Sequence, residues 1–242
     1  MEPDEPRFFE LVPAGESLEL KYLICVLGYP VEVDPPPLHG RPWVTWMLIG
    51  IVTVVSVYAW LFMPAAPLEW GFMPAELWRH GGLTLVTAFF LHGSLFHLLG
   101  NMYCLAIFGD NVEDLLGWRR YLVLLLAATV AGDLFQAGAQ MSPRIPSIGA
   151  SGGIAAIIVY YGLTFPHARL RLLRFYRFVD VSVWGALVLW VGIQIIGMIV
   201  RAAQEMQVGY AAHVGGALTG LIFWSLNRGR EPAGVLSIAS RS

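Results

Sequence analysis

The chain has 242 residues, 57% of them hydrophobic and 13% charged, with a mean hydropathy of +0.63. A soluble domain carries about a quarter charged residues, and here the apolar residues gather in blocks near the roughly 20 needed to cross a bilayer, so an ordinary soluble domain is excluded and a polytopic membrane protein is predicted. The net charge of −2 gives no basis for a nucleic-acid partner, and two cysteines, Cys25 and Cys104, are too few for a disulfide framework.

Residues 1–42 form a polar N-terminal segment ending in Asp34-Pro35-Pro36-Pro37 and Arg41-Pro42, too charged for a cleavable signal peptide. One stretch within it, LKYLICVLGYPVEV, suits a small helix or strand. Trp43 to Met63 is the first clean span. PAAPLEWGFMPAELWRHGG follows, rich in Pro, Trp and Gly, and reads as an interfacial hairpin lying in the membrane between the first two spans. Five further spans are expected at about 94–114, 120–140, 151–164, 180–200 and 209–227, before a short tail, 228–242. The span at 151–164 is short for a crossing at about 1.5 Å per residue. A helix beginning at Ser151 is therefore expected to start inside the membrane, with its first turn open to water from one side.

Charge sets the orientation. With the N-terminus inside, cytoplasmic segments hold twelve of the fifteen basic residues, and the opposite face keeps only Arg79, Arg144 and Arg201. Six spans with both ends cytoplasmic satisfy the positive-inside rule. The openings of spans two, four and six then face the exterior.

Polar residues fall at those openings, where burial in a membrane is costly unless the residue is used. The second span begins HGSLFHLLGN, and His97 and Asn101, four apart, share one helix face. Ser151 stands in IGASGG, and His213 lies one turn into the last span, in AAHVGGALTGLIF. A serine hydroxyl needs a base to take its proton, and histidine is the usual one. Attack on an amide creates an oxyanion that needs preorganised donors, which His97, Asn101 and the Ser151 backbone N–H supply. Gly149, Gly152 and Gly153 allow a tight turn and close approach to substrate. Gly216 and Gly220 form a small-xxx-small pair that brings the last span close to the fourth. Each residue alone has a plainer reading: Ser151 as an N-cap, His213 as a packing histidine, His97 with Asn101 as interhelical glue, Arg79 as a headgroup contact. Phe96, Trp184 and Trp190 read as lipid-facing, with the lining of a lateral entrance as the alternative. No HExxH motif supports a zinc protease, and no internal symmetry supports a transporter.

The chain resembles the rhomboid intramembrane serine proteases over nearly all of residues 43–227. The match rests on ELWR (Glu76 to Arg79), the spacing of His92, His97 and Asn101, GASG around Ser151, and AHVGGALTG around His213, in order and each on its own span. The resemblance implies an all-α, six-span bundle with a membrane-lying hairpin. Ser151 would be nucleophile and His213 general base, then acid. His97, Asn101 and the Ser151 amide would form the oxyanion site, with His92 and Gly149 accessory. Glu113 resembles an acid near the inner end of span two that pairs internally, and Asp133 receives no role. The implied activity is cleavage of single-span membrane proteins in the bilayer by a Ser-His dyad, without metal or organic cofactor. The alternative is a catalytically silent relative that binds membrane clients, but such relatives usually lack the serine or the histidine. One departure stands out: many members carry an aromatic residue four after the serine, stacked on the histidine, and here that position is Ala155. With no transit peptide recognised, a bacterial inner membrane is the expected location.

Overall fold

A backbone enters lipid only when each N–H and C=O is paired within the protein, so apolar blocks of this length fold as helices. The computed structural model describes residues 25, 29–33, 35–139, 144–174, 177–201 and 209–228. Its long helices are α1 (Trp43–Phe62), α2 (Leu95–Leu116), α3 (Trp118–Gly138), α4 (Ser151–Thr164), α5 (Val183–Arg201) and α6 (Tyr210–Asn227). Each expected span overlaps one of them, although residues 180–182 of the expected 180–200 span belong to a strand and the helix begins at Val183. By length and composition α1, α3 and α5 can cross a membrane, and a fourth crossing follows if Thr84–Phe90 and α2, bent by 95°, count as one. Of the expected N-terminal segment, residues 1–24, 26–28 and 34 lie outside the described residues, as does the tail beyond Arg228.

Helix α4 is short and enclosed by protein. Eleven of its 14 residues are buried, from Gly152 to Thr164. Small residues bring its neighbours to backbone contact. A Cβ placed on Gly216 of α6 would overlap the carbonyl oxygen of Gly152, one on Gly220 would stand 2.5 Å from the Ala156 carbonyl, and one on Gly132 of α3 would stand 2.7 Å from the Ala212 carbonyl. Contact this close replaces the hydrophobic driving force that lipid removes.

The start of α1 shows how a buried acid is used. Its first N–H groups lack intrahelical acceptors, and Pro42 at the N-cap offers no side-chain bond. Glu113 of α2 fills the gap, accepting from the N–H of Val44 at 3.0 Å and of Thr45 at 2.7 Å. Asp114 beside it accepts from the N–H of His39 and Gly40. The internal pairing expected of Glu113 is therefore with a helix terminus, where a negative charge also meets the favourable end of the dipole.

Between α1 and α2 the chain forms a short helix, Ala66–Trp70, then 3-10 turns at Pro74–Glu76 and Arg79–Gly82. Arg79 Nη1 donates to the Leu68 carbonyl at 2.6 Å, and the His80 ring stacks on Trp70 at 4.6 Å, so this segment is tied to itself. It is also tied to the entry of α4, because Phe72 and Ser147 exchange both backbone hydrogen bonds.

The all-α expectation needs correction. Strands β1 (Val31–Glu32), β2 (Arg169–Arg174) and β3 (Arg177–Ser182) form an antiparallel sheet in that order. Its cause lies in the alternation Arg169-Leu170-Arg171-Leu172, the period of a strand with one covered face. Leu170 is buried, while Arg171 faces Asp180 across the hairpin and donates from Nε at 2.7 Å and from Nη2 at 3.0 Å. This fork lowers the Asp180 carboxyl below its ordinary range. The Tyr161 hydroxyl at the far end of α4 donates to Glu32, linking β1 to the central helix. Burial dominates at Glu32 and lifts its carboxyl to about 7.

Candidate active site

The first turn of α4 is built without a side-chain cap. Ala150, not Ser151, occupies the N-cap, so the plain reading of Ser151 as a capping serine does not hold. The Ser151 hydroxyl turns instead toward α6, where His213 Nε2 stands 2.7 Å from Oγ. The glycine contacts of α4 with α6 make that distance reachable, since bulkier residues would part the two backbones.

The other nitrogen of His213 is engaged as well. Nδ1 lies 2.8 Å from Oε1 of Gln194 on α5, and Gln194 Nε2 donates to the Trp190 carbonyl at 3.3 Å. The Trp190 ring stands 6.3 Å from the His213 ring at 29°, and Tyr210 meets the imidazole edge-on at 6.5 Å. Trp190 thus faces the histidine, which corrects the expectation that it faces lipid. Phe96 and Trp184 are exposed, and Phe96 also lines the cavity that holds Ser151 and His213.

On the opposite wall, Ser94 caps α2 by accepting from the His97 N–H at 3.2 Å, which fixes the turn that carries His97. Asn101, one turn further, is 8% exposed, and its Nδ2 is a buried donor without a partner among the described residues. Gly149 has φ of +123°, and a Cβ there would stand 2.8 Å from the His97 ring. Only glycine fits that backbone and that space. Its N–H donates to the Ala88 carbonyl at 2.9 Å. His97, Asn101, Gly149, Ser151 and His213 all line one cavity of about 810 Å³, together with Asp133 of α3.

His92 does not line that cavity. It is 1% exposed, with Nδ1 3.0 Å from Ser56 Oγ. Ser56 Oγ donates to the Phe90 carbonyl at 2.9 Å, so it accepts from His92 Nδ1–H. The ring then supports His97 edge-on at 4.9 Å from behind. Among the described residues no three His, Cys, Asp or Glu side chains stand close enough to share a metal ion.

Sequence reasoning missed Gln194 and the sheet hairpin. A signal existed for Gln194, the one polar side chain in α5 before its closing Arg201. Ala155 is explained by packing: it is fully buried, and a Cβ on Gly216 would stand 3.2 Å from its own. An aromatic ring at 155 has no room where α4 and α6 meet.

Chemically, the arrangement couples a hydroxyl to a base beside a helix N-terminus, with side-chain donors across a cavity. That is a layout for acyl transfer. The family model described as "Rhomboid domain" matches residues 74–228. The chain is 29% identical over 154 residues to "Rhomboid protein 1, mitochondrial" of Saccharomyces cerevisiae, covering 62% of this chain and 43% of that protein. It is 31% identical over 144 residues to "Presenilin-associated rhomboid-like protein, mitochondrial" of Homo sapiens, covering 59% and 36%. With "RHOMBOID-like protein 12, mitochondrial" of Arabidopsis thaliana it shares 30% over 166 residues, covering 61% and 47%. The chain spans less than half the length of these relatives. With its domain match covering both the serine-bearing and the histidine-bearing helices, the chain belongs to the rhomboid family.

Proposed function

We propose that this chain is an intramembrane serine endopeptidase that hydrolyses peptide bonds in or near the transmembrane segments of single-span membrane proteins. The observation that carries the reading is the 2.7 Å approach of His213 Nε2 to Ser151 Oγ, both lining a cavity that also holds His97, Asn101 and Asp133. In this reading the chain crosses the bilayer six times, with α4 as the short buried crossing, and Ala66–Phe90 lies along the membrane surface. Both ends are cytoplasmic.

A substrate helix has every backbone bond satisfied, so it must unwind before its carbonyl is open to attack. Ser151 Oγ then adds to the scissile carbonyl carbon while its proton passes to His213 Nε2. The oxyanion is held by His97, the Asn101 amide and the Ser151 N–H, one of the first-turn groups that a helix leaves without an internal acceptor. Collapse breaks the C–N bond as His213 returns its proton to the leaving amine, leaving an ester on Ser151. Water from the exterior side gives a proton to His213, adds to the ester and releases the acid with Ser151 restored. No metal or organic cofactor enters these steps. A silent client-binding relative is the lesser reading, because both partners of the dyad are retained.

The named relatives are mitochondrial, which goes against the expected bacterial inner membrane. What carries over is the integral membrane placement. The test is cleavage of a panel of labelled single-span substrates, bearing small residues near the outer boundary, by chain reconstituted in liposomes. Wild type is expected to cleave and Ser151→Ala to be silent. Cleavage that survives Ser151→Ala, or a folded wild type silent on the whole panel, overturns the proposal.

A further inference from the structure

We infer that Gln194 is a positioning residue that holds His213 in the tautomer whose Nε2 lone pair faces the Ser151 hydroxyl. The inference deepens the serine–histidine reading above and rests on it for its catalytic meaning.

The Trp190 carbonyl only accepts, so the end of the Gln194 amide that meets it at 3.3 Å must be the NH₂. The other end, 2.8 Å from His213 Nδ1, is then the oxygen, and Nδ1 must carry the proton. Nε2 is left with its lone pair, 2.7 Å from Ser151 Oγ, and the hydroxyl donates to it. Reversing the amide would set two carbonyl oxygens against each other and put the proton on Nε2, where it cannot act as base. Free imidazole favours the Nε2–H form, so the reactive tautomer needs an acceptor at Nδ1, and in a histidine the bond at one nitrogen decides the state of the other.

Gln194 is buried, and no other amide lies on α5. Trp190, one turn earlier on the same face, covers the imidazole. Together they supply from α5 the orientation that Ala155 on α4 cannot give, since that position is filled by the approach of Gly216.

The test uses full-length chain in detergent with ¹⁵N-labelled histidine, comparing wild type, Gln194→Met and Gln194→Glu, with His213→Ala to assign the signal. The wild type is expected to show protonated Nδ1 and bare Nε2 at His213. Gln194→Met keeps the shape but removes the acceptor, so the signal should move toward Nε2–H. Fluorophosphonate labelling of Ser151 should fall roughly ten- to a hundredfold in that variant. Gln194→Glu retains an acceptor oxygen, and a protonated carboxyl can still donate to the Trp190 carbonyl, so both readouts should recover. Melting temperatures should stay together, which separates positioning from folding. An Nε2–H signal in wild type, or an unchanged signal in Gln194→Met, overturns the inference. If wild type labels, Ser151→Ala does not, and Gln194→Met labels as wild type, the positioning role falls while the protease reading stands. If the tautomer shifts as expected but wild type never labels, the positioning stands and the protease reading falls.

Discussion

Substituting Gly216 by alanine tests whether backbone contact between α4 and α6 sets the reactive geometry. The added Cβ would overlap the Gly152 carbonyl oxygen, stand 2.9 Å from its carbon and 3.2 Å from Ala155 Cβ. Ordinary contact begins near 3.4 Å, so the helices must part by at least about 0.5 Å, and by more to clear the oxygen. Gly152 adjoins Ser151, so the separation feeds into the 2.7 Å Ser151–His213 distance. Overpacking of this kind costs about 1–3 kcal/mol of stability, and a misplacement of about 1 Å costs roughly a hundredfold in rate. The assay is cleavage of a labelled single-span substrate, beside a melting curve. Gly192→Ala is the control, because nothing lies within 4 Å of a Cβ there. The expected result is a roughly hundredfold slower Gly216→Ala and an unaffected Gly192→Ala. Wild-type cleavage by Gly216→Ala would refute the claim that close helix contact sets the site.

Glu113→Ala removes the acceptor for the Val44 and Thr45 N–H groups, and a loss of about 1–3 kcal/mol should lower the melting temperature, with Glu113→Gln recovering part of it. Glu32 titrates at about 7 in the fold against an ordinary 4.5. Folding thus favours its protonated form, so its contribution, at most about 3 kcal/mol, is complete below pH 4.5 and is lost as the pH rises through 7. Protection factors in β1, corrected for intrinsic exchange, should therefore fall between pH 5.5 and 8, and Glu32→Gln should remove that fall; equal protection at both pH values would refute it. Asp180 runs the other way, being held low by Arg171, so the β2–β3 hairpin should weaken as the pH falls into the carboxylate range, read by the same exchange measurement. Gly149→Ala forces a side chain into φ of +123° and onto His97, and cleavage should fall at least tenfold with a stability loss of about 1–3 kcal/mol, measured by rate and melting together.

The long helices were legible because lipid imposes one rule on the whole chain, that apolar blocks near 20 residues become helices. The candidate site was legible because polar residues are rare in such blocks, so Ser151, His213, His97 and Asn101 stood out against their surroundings. Part of what stayed hidden is local: β2 and β3 form a hairpin from neighbouring segments, and the alternation at Arg169–Arg174 signalled it, but those arginines also fit a cytoplasmic loop. The rest came from pairing between distant segments, such as β1 with β2. Gln194 was visible as a polar residue, yet nothing local says that it meets His213, 19 positions away on another helix. Glu113 was expected to pair internally, but that its partners are backbone N–H groups follows only from how α1 enters against α2.

The most direct test of the Ser151–His213 account is mass mapping of the fluorophosphonate adduct on the folded chain. The account predicts a single adduct on Ser151 that is abolished in His213→Ala, because the hydroxyl is reactive only while Nε2 takes its proton. An adduct on another residue, or undiminished labelling of Ser151 in His213→Ala, would contradict it.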